Sequence, residues 1–182
     1  MYARRLSVAA TLCCLAGLAS AQQLQPGLWE ITSRMGGQSG GEMEKAMAQA
    51  QAQMANLPPE QRKMVQDMMA KQGVGLSPTG NAVRICLTPD MVARDQLPAQ
   101  QGDCKTTQSP RSGNTIKVSF SCTRPVSSGE GTVTFVSPRD YRSTMKVRST
   151  QNGRTDTLDM DSTGKWLAAD CAGLKPPSAP AK

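Results

Sequence analysis

Residues 113–161 read GNTIKVSFSCTRPVSSGEGTVTFVSPRDYRSTMKVRSTQNGRTDTLDMD, and this stretch decides the fold. Its apolar and polar residues alternate. In residues 115–122, Ile116, Val118, Phe120 and Cys122 fall on one side, with Lys117, Ser119 and Ser121 on the other. A period of two marks a half-buried strand, because successive side chains of an extended chain point to opposite faces. Residues 130–136 continue the pattern with Val133 and Phe135 inward. In residues 140–150, Tyr141, Met145 and Val147 alternate with Arg142, Thr144, Lys146 and Arg148; residues 154–161 form a further strand around Leu158 and Met160. The joints are Gly113-Asn114, Ser137-Pro138 and Asn152-Gly153. Asn-Gly between alternating runs is a strong hairpin signal, so the strands form an antiparallel meander, closed by residues 164–171.

Upstream, residues 27–35 (GLWEITSRM) put Trp29, Ile31 and Met35 on one face of another strand, and Val83, Ile85 and Leu87 mark one more. Between them, residues 42–72 are dominated by Ala, Gln, Glu, Lys and Met, all good helix formers. Leu57-Pro58-Pro59 splits this segment, Pro59 suits the first position of a second helix, and Gly73 suits its end. The spacing predicts a helical hairpin over 42–56 and 59–72, inserted between two strands. Residues 88–103, with Pro89, Pro98 and Gly102, are expected to be a loop. The fold expected is mainly β: a curved antiparallel sheet or barrel-like meander with an inserted α-helical hairpin, forming one domain over residues 22–174. The tail 175–182 (KPPSAPAK) is expected to be disordered.

The first residues have the layout of a secretory signal peptide over 1–21. Arg4 and Arg5 give a positive start, residues 6–18 an uncharged apolar run, and Ala19-Ser20-Ala21 a small-residue cleavage site before Gln22. The apolar run is too short for a membrane span, which takes roughly 20 residues. Cys13 and Cys14 lie inside that run and do not suit a lipid anchor. Cleavage leaves about 160 residues, enough for one domain with a real core. The address expected is periplasmic or secreted, with no transmembrane segment after cleavage. Residues 105–182 hold 12 basic and 6 acidic residues, against 7 and 8 in residues 22–104, so the second half is the basic one.

Four cysteines survive cleavage: Cys86, Cys104, Cys122 and Cys171. An even count in an exported chain points to two disulfides, each worth roughly 2–4 kcal/mol. Three pairings exist, and Cys86–Cys104 with Cys122–Cys171 is the expected one, the first closing over the Pro-rich loop. A zinc site is disfavoured by the absence of a C-x-x-C pair and of any histidine.

PGLWEIT at 26–32, ICLTPDM at 85–91, Gly-Asp-Cys at 102–104, Gly-Glu-Gly at 129–131 and Asp170-Cys171 together resemble the domain-of-unknown-function 3617 family of bacterial exported proteins. The resemblance covers nearly all of residues 26–171. It implies an envelope location and a β-rich domain, and it implies no known activity, so it assigns no catalytic residue.

The lack of histidine removes the usual general base, the Ser-His-Asp triad and the commonest metal ligand. No histidine is available to complete a G-x-S-x-G nucleophile site, and no phosphate-binding glycine loop is present. Asp156, Asp159 and Asp161 are the nearest thing to a carboxylate group for acid–base work or calcium, though such a group is more often a solvated strand face near a turn. Met43/Met47 and Met64/Met68 are spaced i, i+4, so each pair shares a helix face. Thioethers suit Cu(I), whereas the plainer account is a packing or partner-binding stripe. Lys117, Arg142, Lys146 and Arg148 are candidates for meeting an anionic surface, against the plainer account of a solvated face that blunts sheet association. Trp29, Phe120, Phe135 and Tyr141 are candidates to line an apolar pocket, and an ordinary core explains them too. The expected function is non-enzymatic, without a cofactor. It is the binding of a partner or apolar ligand, the partner being an envelope protein, a lipid or an anionic surface polymer, and not nucleic acid. The alternatives are a methionine-based copper-binding protein and an uncharacterised hydrolase.

Overall fold

The computed structural model describes residues 23–78, 80–95, 103–151 and 153–177. The expected signal peptide at 1–21, Pro98, Gly102, Asn152 and the last five residues of the tail lie outside these. The elements run β1 (Gly27–Gly36), α1 (Gly40–Ala55), α2 (Pro59–Lys71), β2 (Val74–Leu76), β3 (Val83–Leu87), α3 (Pro89–Ala93), β4 (Cys104–Gln108), β5 (Thr115–Thr123), β6 (Val126–Ser137), β7 (Asp140–Gln151) and β8 (Arg154–Ala168). The strands form one antiparallel sheet in the order β2-β3-β1-β8-β7-β6-β5-β4. The meander expected from β5 onward is present, and β1 then adds to its last strand. The sheet is open: β2 and β4 are its two edges. Of the two shapes expected, a curved sheet is therefore the one adopted.

Curvature is visible in the core. Trp29 on β1 and Ile116 on β5 share one buried cluster although β8, β7 and β6 lie between their strands. Leu24, Ile85, Leu87, Val92, Val118, Val133 and Phe135 complete it. Alternation along β5 is strict, with Ile116, Val118, Phe120 and Cys122 buried and the residues between them exposed or half-buried. Trp29 is wholly buried, and its indole N–H donates to the Gln25 carbonyl at 2.8 Å, which meets the need of a buried polar group for a partner.

Two glycines on the inner face exist because an aromatic ring needs their space. A Cβ on Gly164 would stand 2.0 Å from the Tyr141 ring, and one on Gly129 would stand 2.3 Å from Phe120. Each ring therefore lies across the strand opposite, where a side chain would exclude it.

The hairpin forms as expected. Pro59 opens α2 and Gly73 follows its end at φ +83, a backbone region glycine enters without strain. The Arg62 guanidinium on α2 donates to the carbonyls of Ala55 (2.7 Å) and Leu57 (3.2 Å), tying the two helices. At its start α1 is held to the sheet: the Ser39 N–H donates to the Thr157 carbonyl, and the Met35 N–H to a Glu44 carboxylate oxygen. No helix among the described residues is long and apolar enough to cross a membrane.

The structure corrects three local expectations. The disulfides are Cys86–Cys171 and Cys104–Cys122, not the pairs expected. Register explains both. Cys104 and Cys122 are direct cross-strand neighbours on β4 and β5, with Cα atoms 4.0 Å apart. Cys86 and the end of β8 meet around the start of β1, where Leu28 pairs with Cys86 on one side and Ala168 on the other. The expected loop at 88–103 contains α3, capped by the Thr88 hydroxyl, which accepts from the Met91 N–H at 3.1 Å, with Pro89 at the first position. Finally, the segment at 164–171 is mostly the continuation of β8 and not a separate closing element.

Candidate functional site

The outward face of β5–β8 carries the polar residues that alternate with the core. Register sets them in rows. One row runs Thr107, Ser119, Glu130, Lys146, Asp159; the next runs Lys117, Thr132, Thr144, Asp161, Arg34. Apart from Arg34, these residues wall an open depression of about 840 Å³, floored by the strands at Val118, Gly131, Met145 and Met160. A second hollow of about 310 Å³ shares Ser119, Glu130 and Lys146 with the first and adds Ser128 and Arg148. Together they make one polar trough across five strands, β4 to β8.

Of the four cations expected to share a face, Lys117, Lys146 and Arg148 line this trough, while Arg142 lies on the same side but outside it. The sequence reading did not foresee that Glu130, Asp159 and Asp161 would be interleaved with them. The signal existed, since each of these acids alternates with core residues, but the rows depend on strand register. The Lys146 ammonium and an Asp159 oxygen are 3.8 Å apart, both about half exposed, so water screens the pair and it contributes little. Asp159 and Asp161 share a face as expected, and Asp156 falls on the other parity, opposite Ser149. Among the described residues no three Cys, Asp or Glu side chains converge as a metal site. The trough thus presents hydroxyls and charges of both signs.

The aromatic candidates behave differently. Trp29 and Phe135 are buried in one core cluster, Tyr141 packs against it, and the rings of Trp29 and Tyr141 are 5.5 Å apart. Burial pushes the Tyr141 phenol up to about 12. Phe120 stands apart, its ring over Gly129 at the edge of the smaller hollow. Arg111 lies over the Phe135 ring at 3.7 Å and caps this end of the core.

The helical methionines are exposed, Met43 and Met47 by 43 and 44 %, Met64 and Met68 by 66 and 57 %. They do not gather in one place. Met64 and Met68 line a shallow hollow walled only by α2 residues, whereas Met47 shares a hollow of about 190 Å³ with Met35 of the sheet.

The chain matches the family model described as a protein of unknown function, DUF3617, over residues 24–171. It is also 47% identical, over 126 residues, to a Pseudomonas putida protein described as "Uncharacterized protein in lpd-3 5'region"; the match covers 68% of this chain and 84% of that one. No solved structure matches the chain. The family match spans the whole of the β-sheet and its helical insertion, and the chain belongs to the DUF3617 family of proteins of unknown function.

Proposed function

We propose that this chain is an exported, non-enzymatic envelope protein that binds a polar polymer carrying both signs of charge along the outer face of β5–β8. The observation behind this reading is the trough. Lys117, Lys146 and Arg148 stand among Glu130, Asp159 and Asp161, with Thr107, Ser109, Ser119, Thr132 and Thr144 supplying hydroxyls. An all-anionic polymer would meet repulsion from the three carboxylates, whereas a glycan bearing peptides with both amino and carboxyl groups complements the rows. Cell-wall peptidoglycan has that chemistry. Two disulfides support a location outside the reducing cytoplasm, and the signal-peptide layout of residues 1–21 supports export.

Co-sedimentation of the mature protein with purified sacculi tests the proposal. The protein is expected to pellet with sacculi at low salt and to be released near 1 M salt, where the screening length falls to about 3 Å. Lys117→Glu with Lys146→Glu should abolish pelleting. Binding to anionic vesicles with none to sacculi would replace this reading by a lipid surface, and pelleting indifferent to both salt and charge reversal would end it. N-terminal sequencing of the protein recovered from a periplasmic extract should start near Gln22, and an intact Met1 there would remove the export claim.

A further inference from the structure

The sheet sets three methionines side by side. Met35 on β1 is the register partner of Met160 on β8, and Met160 is in turn the partner of Met145 on β7. Cross-strand partners have Cα atoms about 4.5–5.5 Å apart and side chains on the same face. The three thioethers therefore occupy adjacent places in one row, on the inner side of the sheet. All three are half-buried, so they are neither locked into the core nor loose in solvent. A fourth methionine, Met47 on α1, lines the same small hollow as Met35.

We infer that Met35, Met145 and Met160, with Met47 beside them, form a binding site for a soft monovalent cation, Cu(I). Three considerations carry it. Thioether sulfur is a soft, neutral donor that suits Cu(I) and discriminates against the hard divalent cations. The competing donors of the sheet domain are not available: its four cysteines are in disulfides, and histidine is absent. The row also has room to adjust. The next residue along it, Gly131 on β6, has no side chain, and the Met145 sulfur lies 3.1 Å from where a Cβ would stand. Met145 can thus rest over Gly131 when the site is empty and swing towards Met160 when a cation draws it. This places the site in the sheet and not on the helical pairs, because Met64 and Met68 face away on α2 with only α2 residues about them.

The proposal adds a function to the polar trough and does not depend on it. The test is anaerobic titration of the oxidised protein with Cu(I) against a competing bicinchoninate chelator, with Ag(I) as a surrogate that does not change oxidation state. One equivalent is expected to be held. Met35→Leu, Met145→Leu and Met160→Leu, swaps that preserve volume, should each weaken retention by more than about tenfold, the equivalent of ~1.4 kcal/mol. Met64→Leu with Met68→Leu should leave it unchanged. As a second measurement, 13C-labelled methionine methyl signals of Met35, Met145 and Met160 should shift on Ag(I) addition, while those of Met64 and Met68 stay still. Failure to hold any Cu(I) against the chelator would overturn the inference, as would full retention in the triple leucine variant. So would shifts confined to the helical methionines.

Discussion

Replacing Gly164 by alanine puts the packing of the inner face to a quantitative test. The new Cβ would stand 2.0, 2.4 and 2.6 Å from three atoms of the Tyr141 ring, against an ordinary carbon–carbon contact of about 3.5–4.0 Å. The ring would have to retreat by roughly 1.5 Å to restore that contact. It has little freedom to do so, because it packs on Trp29, itself wholly buried. Overpacking of this kind costs about 1–3 kcal/mol, and loss of the ring–ring contact adds about 0.5–1.5 kcal/mol. A total near 2–4 kcal/mol is expected in equilibrium urea unfolding followed by the fluorescence of Trp29 and Trp166, with the slope against urea unchanged. Gly41→Ala provides a control of opposite sign. Gly41 lies in α1 with nothing within 4 Å of an added Cβ, so alanine should stabilise by up to about 1 kcal/mol. Pairing Gly164→Ala with Tyr141→Leu should show a coupling of about 1–3 kcal/mol, since the smaller side chain no longer opposes the Cβ. A cost below about 0.5 kcal/mol for Gly164→Ala, or strict additivity in the pair, would refute the picture of a ring seated over a glycine.

A chain cleaved near Gln22, as proposed, would retain a single tyrosine, Tyr141, so phenolate absorbance would report on it alone. Its titration midpoint should lie near 12; a midpoint near 10 would show an exposed ring. Because the unfolded phenol loses its proton near 10 while the folded one keeps it to about 12, stability should be indifferent to this group below pH 10 and fall by about 2–3 kcal/mol between pH 10 and 12. The disulfides should differ in weight: the bridges span 85 and 18 residues, which gives loop-entropy terms of about 4.6 and 3.2 kcal/mol. Cys86→Ser with Cys171→Ser should therefore lower the urea midpoint more than Cys104→Ser with Cys122→Ser, and the reverse order would show that native contacts, not chain closure, set the difference.

Wherever a segment alternates, its being a strand and its buried side were legible. Ile116, Val118 and Phe120 announce β5, and Pro59 and Gly73 bracket α2 without help from tertiary contacts. β4 was hidden because Lys105, Thr106, Thr107 and Gln108 are all exposed on an edge strand, and an edge gives its residues no buried side to record in the sequence. α3 is too short for a helical period to show, although Thr88-Pro89-Asp90 carries its capping chemistry. The disulfide pairing failed for a different reason. It depends on β1 standing between β3 and β8, a long-range order that no local pattern encodes. The same holds for the candidate sites: Lys117 and Lys146 could be assigned to a strand side, but only register reveals Glu130 and Asp159 beside them, or joins Met35 to Met160 across 125 positions.

The position of β1 also sets the order of events in a chain that emerges from its N-terminus. The first strand to appear is flanked by β3 on one side and by β8, the last, on the other. With β8 still to come, Trp29 has only half its neighbours, and β1 and β7 each present an unpaired edge. Cys86 must wait as a free thiol for Cys171 throughout that interval, while Cys104 and Cys122 can already join. Completion thus waits for residues 154–171, and the nascent chain stays exposed to aggregation and to mispaired thiols until they arrive.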